Sequence, residues 1–226
     1  RQGHDCNQHG AAQERKEMSE QGTESWLRER LGRVTASRIS DMLAKTKTGW
    51  GASRANYAAQ LVAERLTGEP GDSFTNAAMK WGTDTEPLAR AAYEFFRSAT
   101  VDTVGFVAHP SIPMAGASPD GTIGAEGLLE IKCPNTATHI ETLLGNDTPS
   151  KYINQMQFQM ACTGRKWCDW VSFDPRLPVT MQLFVRREAR DDVWIATIER
   201  ETVAFLAEID DTVARLRDRY EHREAA

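Results

Sequence analysis

The chain has 226 residues, 40% of them hydrophobic and 26% charged, with a formal net charge of −5. This is ordinary globular composition, enough for one sizeable core. No apolar run approaches the roughly 20 residues of a membrane span and no charged-then-apolar signal segment opens the sequence, so a cytoplasmic protein with no membrane partner is expected. The charge excludes a surface coated with cations but leaves room for a local basic groove. The four cysteines, at 6, 133, 162 and 168, include no C-x-x-C pair and are expected to be reduced thiols rather than a zinc site.

Residues 1–20 are polar and aperiodic, and are expected to be a disordered extension or leader, with Met18 as a natural start. One domain is expected over 21–226. Thr23 reads as the cap of a helix through Leu31 that Gly32 ends, and Thr35 or Ser37 can cap a second helix to about Lys45. Trp50 sits in a glycine-flanked loop, placed to stack on a nucleic-acid base. A helix then runs from Ser53 to Gly68, followed by a turn at 69–72. A long helix spans Asn76 to Ser98, with Pro87 as a kink or restart. Between residues 28 and 54, seven basic side chains (Arg28, Arg30, Arg33, Arg38, Lys45, Lys47, Arg54) face two acids, the most basic stretch of the chain.

The period then changes. Val101–His109, Met114–Ser118 and Leu128–Cys133 read as a three-strand meander that Pro134 stops. Helices follow at 136–145 and 150–163, then strands over Lys166–Asp174 and Val179–Arg187. A final amphipathic helix begins at Asp191 or Asp192 and ends near Tyr220. The order predicts an α/β (α+β) fold, a central mixed β-sheet flanked by helices.

The chemistry concentrates in residues 118–134, SPDGTIGAEGLLEIKCP. Glu130 and Lys132 stand two apart on a strand, so both leave the same face while Ile131 points into the core. A hairpin would bring Asp120 alongside Glu130. Two convergent carboxylates are hard oxygen ligands suited to Mg²⁺ or Mn²⁺, and a neighbouring lysine can polarise a water or stabilise charge on a phosphate. The same spacing also fits a turn at Asp120-Gly121 and a plain Glu130–Lys132 ion pair. His109 and His139 read more readily as structural histidines than as ligands or bases.

Pro119-Asp120 followed by Glu130-Ile131-Lys132 resembles the PD-(D/E)xK nuclease superfamily, whose core is restriction-endonuclease-like. With Trp81-Gly82, Glu86, the run Asn154-Gln155-Met156-Gln157 and the early Trp26–Ser37 segment, the chain is similar to the phage lambda exonuclease family of YqaJ-type viral recombinases. The resemblance implies a catalytic centre of Glu86, Asp120, Glu130, Lys132 and a glutamine, Gln157 being preferred to Gln155. It implies metal ligation by Asp120, Glu130, Glu86 and the Ile131 carbonyl, with two Mg²⁺ ions, or Mn²⁺ in their place. Arg30, Ser37 and Ser118 are implied to bind a terminal 5′-phosphate. The tyrosine usual four residues after the glutamine is absent, and Gln159 and Met160 follow instead.

Those residues imply a 5′→3′ exonuclease on double-stranded DNA ends, releasing mononucleotides and leaving a 3′ single strand for recombination. A homotrimer, a single-strand annealing partner and a phage or prophage origin in a bacterial host are implied as well. Rival expectations are an internally cutting nuclease of the same fold, an iron–sulfur nuclease using Cys133, Cys162 and Cys168, and a catalytically silent DNA-binding module.

Overall fold

The Thr23 side chain accepts the Trp26 N–H and starts α1 (Glu24–Arg30) as expected, and Gly32, at φ +66°, turns the chain out of it. The computed structural model describes residues 21–71 and 77–221. The expected leader over 1–20, with Cys6 and Met18, and the expected helix start at Asn76 lie outside the described residues. After α1 come β1 (Val34–Thr35), a 3₁₀ turn (Ala36–Arg38), α2 (Ile39–Met42), β2 (Lys45–Thr46), β3 (Gly49–Trp50) and α3 (Ala52–Thr67). The second helix stops at Met42, short of Lys45, because 45–50 fold back as an antiparallel hairpin that pairs Lys45 with Trp50. Gly68, at φ +72°, closes α3.

Next, α4 (Ala77–Arg97) runs unbroken through Pro87, where a kink or restart was expected. Proline removes the bond to the carbonyl of Thr83, and both residues lie on the exposed face, where water can take that carbonyl.

The meander is replaced by two sheets. Of the strand expected over Val101–His109, β4 (Val107–Ala108) and an isolated bridge between Asp102 and Thr122 remain. β5 (Ala115–Ala117) lies between β1, parallel, and β4, antiparallel. Pro119 has no N–H for a ladder, and there the chain changes sheet. It continues as β6 (Gly121–Ile123), then β7 (Gly127–Lys132), α5 (Thr136–Gly145), α6 (Ser150–Thr163), β8 (Trp167–Phe173), β9 (Leu183–Ala189) and α7 (Asp192–Tyr220). Strands β6-β7-β8-β9 form a mixed sheet in which only β7 and β8 are parallel. The parallel link needs a crossover, supplied by α5 and α6.

Both faces of this sheet are covered. Leu129, Ile131, Val171 and Phe173 pack with Ala89 and Tyr93 of α4. Leu128, Cys168 and Trp170 pack with Met156 and Met160 of α6 and Ile195 of α7. A separate core joins α2, α3, α6 and α7 through Ile39, Met42, Tyr57, Leu61, Phe158, Phe205 and Ile209. Among the described residues no helix is long and apolar enough to cross a membrane.

One buried carboxylate ties α4, β8 and β9 together. Asp169 accepts from Arg187 Nε at 2.7 Å and from Tyr93 Oη at 2.7 Å. Removing it leaves the buried Tyr93 hydroxyl without its acceptor, while the half-exposed Arg187 can turn to water, so Asp169→Ala is expected to destabilise the fold by about 1–3 kcal/mol. Urea denaturation measures this.

Candidate active site

The hairpin β6–β7 pairs Gly121 with Leu129, so its register, continued one step, sets Asp120 opposite Glu130. Two hydrogen bonds hold Asp120 there: its N–H donates to the Leu129 carbonyl at 3.1 Å, and Oδ2 accepts the Ile131 N–H at 2.7 Å. Alternation along β7 sends Ile131 into the cluster under α4 and turns Glu130 and Lys132 toward α6. Lys132 Nζ lies 2.5 Å from Glu130 Oε1 and 5.4 Å from the Tyr152 ring centre. The Glu130 side chain is 1% exposed and that of Lys132 29%, so the lysine is the less buried partner of the pair.

Burial, then the charge of Glu130 and that of Glu86, push the Asp120 carboxyl well above its usual pKa, against the pull of Lys132 and the Ile131 N–H. Burial works against the Lys132 charge, but Glu130 and Asp120 outweigh it and hold the amine above its ordinary pKa. Lys132 is therefore a protonated donor. Burial foremost, with Glu86 and Asp120, pushes the neighbouring Cys133 thiol up to about 12, which leaves it inert at neutral pH.

The donor set fits a divalent cation. It consists of oxygen only, the Asp120 and Glu130 carboxylates, with Lys132 beside them. Among the described residues no three histidine, cysteine, aspartate or glutamate side chains converge closely enough to hold an ion by themselves. Mg²⁺ suits such a partial set, since it usually keeps waters and takes one or two carboxylates plus substrate phosphate. Glu86 stands apart from the pair. Its Oε1 accepts from Arg90 at 2.7 Å, and it acts on Asp120 through charge.

The glutamine helix departs from expectation. Gln155 Nε2 donates to Glu130 Oε1 and Gln159 Nε2 to Oε2, each at 2.6 Å. Gln157, the preferred residue, faces away. Its amide donates to the Ala189 carbonyl at 2.7 Å and accepts the Asp191 N–H at 2.9 Å, which seats α6 on the start of α7. The reason is helical phase: residues four apart share a face, residues two apart do not. The spacing of 155 and 159 was the available signal.

Of the three expected phosphate ligands, two meet. Ser118 Oγ receives Trp26 Nε1 at 2.9 Å and Arg30 at 3.3 Å, and the Arg30 guanidinium stacks 4.2 Å from the Trp26 ring centre. Burial lowers the Arg30 pKa, yet a guanidinium stays charged at any physiological pH. Ser37 is exposed on its 3₁₀ turn. Trp26, assigned no role from sequence, orients both partners of this pocket.

Much of the basic stretch is spent internally. Arg54 binds Glu208 and the Met42 carbonyl, Arg38 binds Asp41 and Gln60, and Arg28 binds Glu24. Trp50 is stacked by Arg54 and Lys45, at 3.8 and 4.6 Å from its ring centre. Both histidines are structural. His139 is buried between Ser172 Oγ and the Met181 carbonyl, and His109 lies against Glu199 while accepting two backbone N–H groups.

The sequence profile of the YqaJ-like viral recombinase domain matches residues 25–166. An alkaline exonuclease, LHK-Exo, from Laribacter hongkongensis is 51% identical over 88% of this chain and 99% of its own, with a TM-score of 0.83. Its complex with dAMP superposes at 0.84. A phage-related exonuclease from Haemophilus somnus 129PT shares the fold at 13% identity, covering 81% of this chain and 96% of its own with a TM-score of 0.68. A search of curated proteins finds no significant match. With the profile spanning more than half its length and 51% identity to LHK-Exo over 88% of it, the chain belongs to the YqaJ-like viral recombinase domain family, as an exonuclease of it.

Proposed function

We infer that the chain is a divalent-metal-dependent 5′→3′ exonuclease acting on linear double-stranded DNA, releasing 5′-mononucleotides and leaving a 3′ strand for annealing-type recombination. The observation that carries this reading is the placement of Asp120 opposite Glu130, with Lys132 beside them, two residues after Ser118 in the Trp26–Arg30 pocket. Two extended residues span ~7 Å, about the step between neighbouring phosphates. A 5′-phosphate on Arg30 and Ser118 would then put the next phosphodiester at the carboxylates. That LHK-Exo was solved with dAMP, a nucleoside monophosphate, supports the product class.

In this reading Asp120, Glu130 and the Ile131 carbonyl hold Mg²⁺, or Mn²⁺ in its place. When bound, such a cation polarises the phosphoryl oxygen and acidifies a water. Lys132 donates to the scissile phosphate as negative charge grows there. Glu86 adds negative potential rather than a direct ligand, and Ser37 sits outside the pocket as a contact for the approaching strand. Gln155 orients Glu130. A homotrimer closed around the duplex and a single-strand annealing partner complete the proposal, on the family's pattern.

The test is digestion of linear duplex labelled at either end, with and without 5′-phosphate, in Mg²⁺ and in chelator. Mononucleotides should leave the 5′-labelled end only, in Mg²⁺ only, and closed circles should persist. Loss of closed circles would favour internal cutting instead. Arg30→Ala is expected to slow 5′-phosphorylated ends at least tenfold, about 1.4 kcal/mol, and 5′-hydroxyl ends far less, read as initial rates on the two substrates.

A further inference from the structure

Gln159 holds an unusual position. The middle of α6 buries Gln155, Gln157 and Gln159 together, and buried polar side chains persist where they are bonded or functional. Gln157 is satisfied at both ends of its amide by the backbone, which explains it as structure. Gln159 is satisfied at one end only. Its Nε2 reaches Glu130 Oε2, while its Oε1 is buried with no hydrogen-bond partner. The amide cannot turn over to relieve that oxygen, because the flip would press an acceptor against a carboxylate. At this position, 0% exposed, a hydrophobic residue would avoid the cost of that unpartnered oxygen.

We propose that Gln159 is a positioning residue that, with Gln155, fixes the Glu130 carboxylate for divalent-cation binding. The two amides approach from one helix face, one to each oxygen, so they lock both the rotamer and the plane of the carboxylate. They are neutral donors. They stabilise the ionised carboxylate without cancelling its charge, whereas Lys132, on Oε1 alone, does cancel it. Oε2 thereby meets a neutral amide and not the amine. Because α6 also packs on Trp170 through Met156 and Met160, the clamp is set by the helix and not by a mobile loop.

This inference rests on the metal-dependent reading above, and the experiment separates the two. Mn²⁺ affinity is measured on the DNA-free protein by electron paramagnetic resonance, alongside melting temperature and single-turnover rates across a Mg²⁺ series. Gln159→Met removes the donor at similar volume, and Gln159→Asn withdraws it by one carbon, so one folded variant is enough. Both should weaken Mn²⁺ at least tenfold and move the Mg²⁺ midpoint up by a similar factor, leaving KM for DNA unchanged. Gln157→Met should lower the melting temperature with no change in Mn²⁺ affinity. Gln159 variants that bind Mn²⁺ as tightly as the parent, whatever their melting temperature, would overturn the assignment. A parent protein that binds no Mn²⁺ and cuts in chelator would instead overturn the metal-dependent reading itself.

Discussion

Asp120→Asn is expected to cost on the order of 10³-fold in hydrolysis while making the protein melt higher. The carboxylate is buried opposite Glu130 and within the field of Glu86, and these push its pKa well up. An amide keeps an oxygen for the Ile131 N–H but carries no charge to repel its neighbours. Each kcal/mol recovered should raise the midpoint by about 2–4 °C in a domain of this size. The pH dependence follows with a definite sign. The folded protein holds this proton more tightly than the unfolded chain does. The stability it contributes is fully present below about pH 4 and is lost as pH rises through the raised folded-state value. Metal-free parent protein should therefore lose stability as pH rises above about 4, and the variant should show a flatter profile. Calorimetry across that range with initial rates on linear duplex measures both halves. A variant that melts lower and still digests DNA would contradict them.

Lys132→Met should also lower turnover, by the same amount or less, with the opposite effect on stability. The lysine is the cation paired with Glu130 Oε1, and removing it leaves a carboxylate of 1% exposure with only the two amides. Breaking such a buried pair from one side costs about 3–5 kcal/mol. In the proposed mechanism the amine donates to the scissile phosphate, and the Lys132 side chain, 29% exposed, is the less buried partner of the pair. Loss of one well-placed donor is expected to lower the rate about 10²–10³-fold. Its pKa is held high by Glu130 and Asp120, against burial, so it serves as donor and not as base. Single-turnover rates at saturating Mg²⁺, with melting temperatures, separate the two effects. Full hydrolysis by Lys132→Met would remove the amine from the mechanism.

The opposite stability signs show why part of this site was legible beforehand. Strand alternation alone puts Glu130 and Lys132 on one face with Ile131 inward, and that is what β7 does. The expected hairpin that brings Asp120 alongside Glu130 is present, as Gly121–Ile123 paired with Gly127–Leu129. Helix ends marked by Thr23, Gly32, Gly68 and Asp191 were equally plain, since caps are local. The failures share a non-local cause. Which sheet Val107–Ala108 and Ala115–Ala117 join depends on Val34–Thr35, about 80 residues earlier. In the basic run over 28–54, the pairing of Arg54 could not be read locally, because Glu208 lies on a helix 154 positions away. Gln157 was preferred on resemblance when the geometry of a single helix already separated it from Gln155.

Ser118 and Asp120 hang from one short piece of backbone, with rigid Pro119 between them. A terminal anchor and a cutting centre carried on separate loops could drift relative to each other. In the proposed reading they would form a covalent ruler whose length is set by two peptide units and does not depend on base identity. An enzyme so gauged would remove DNA in equal increments through any sequence, its stride written into the main chain.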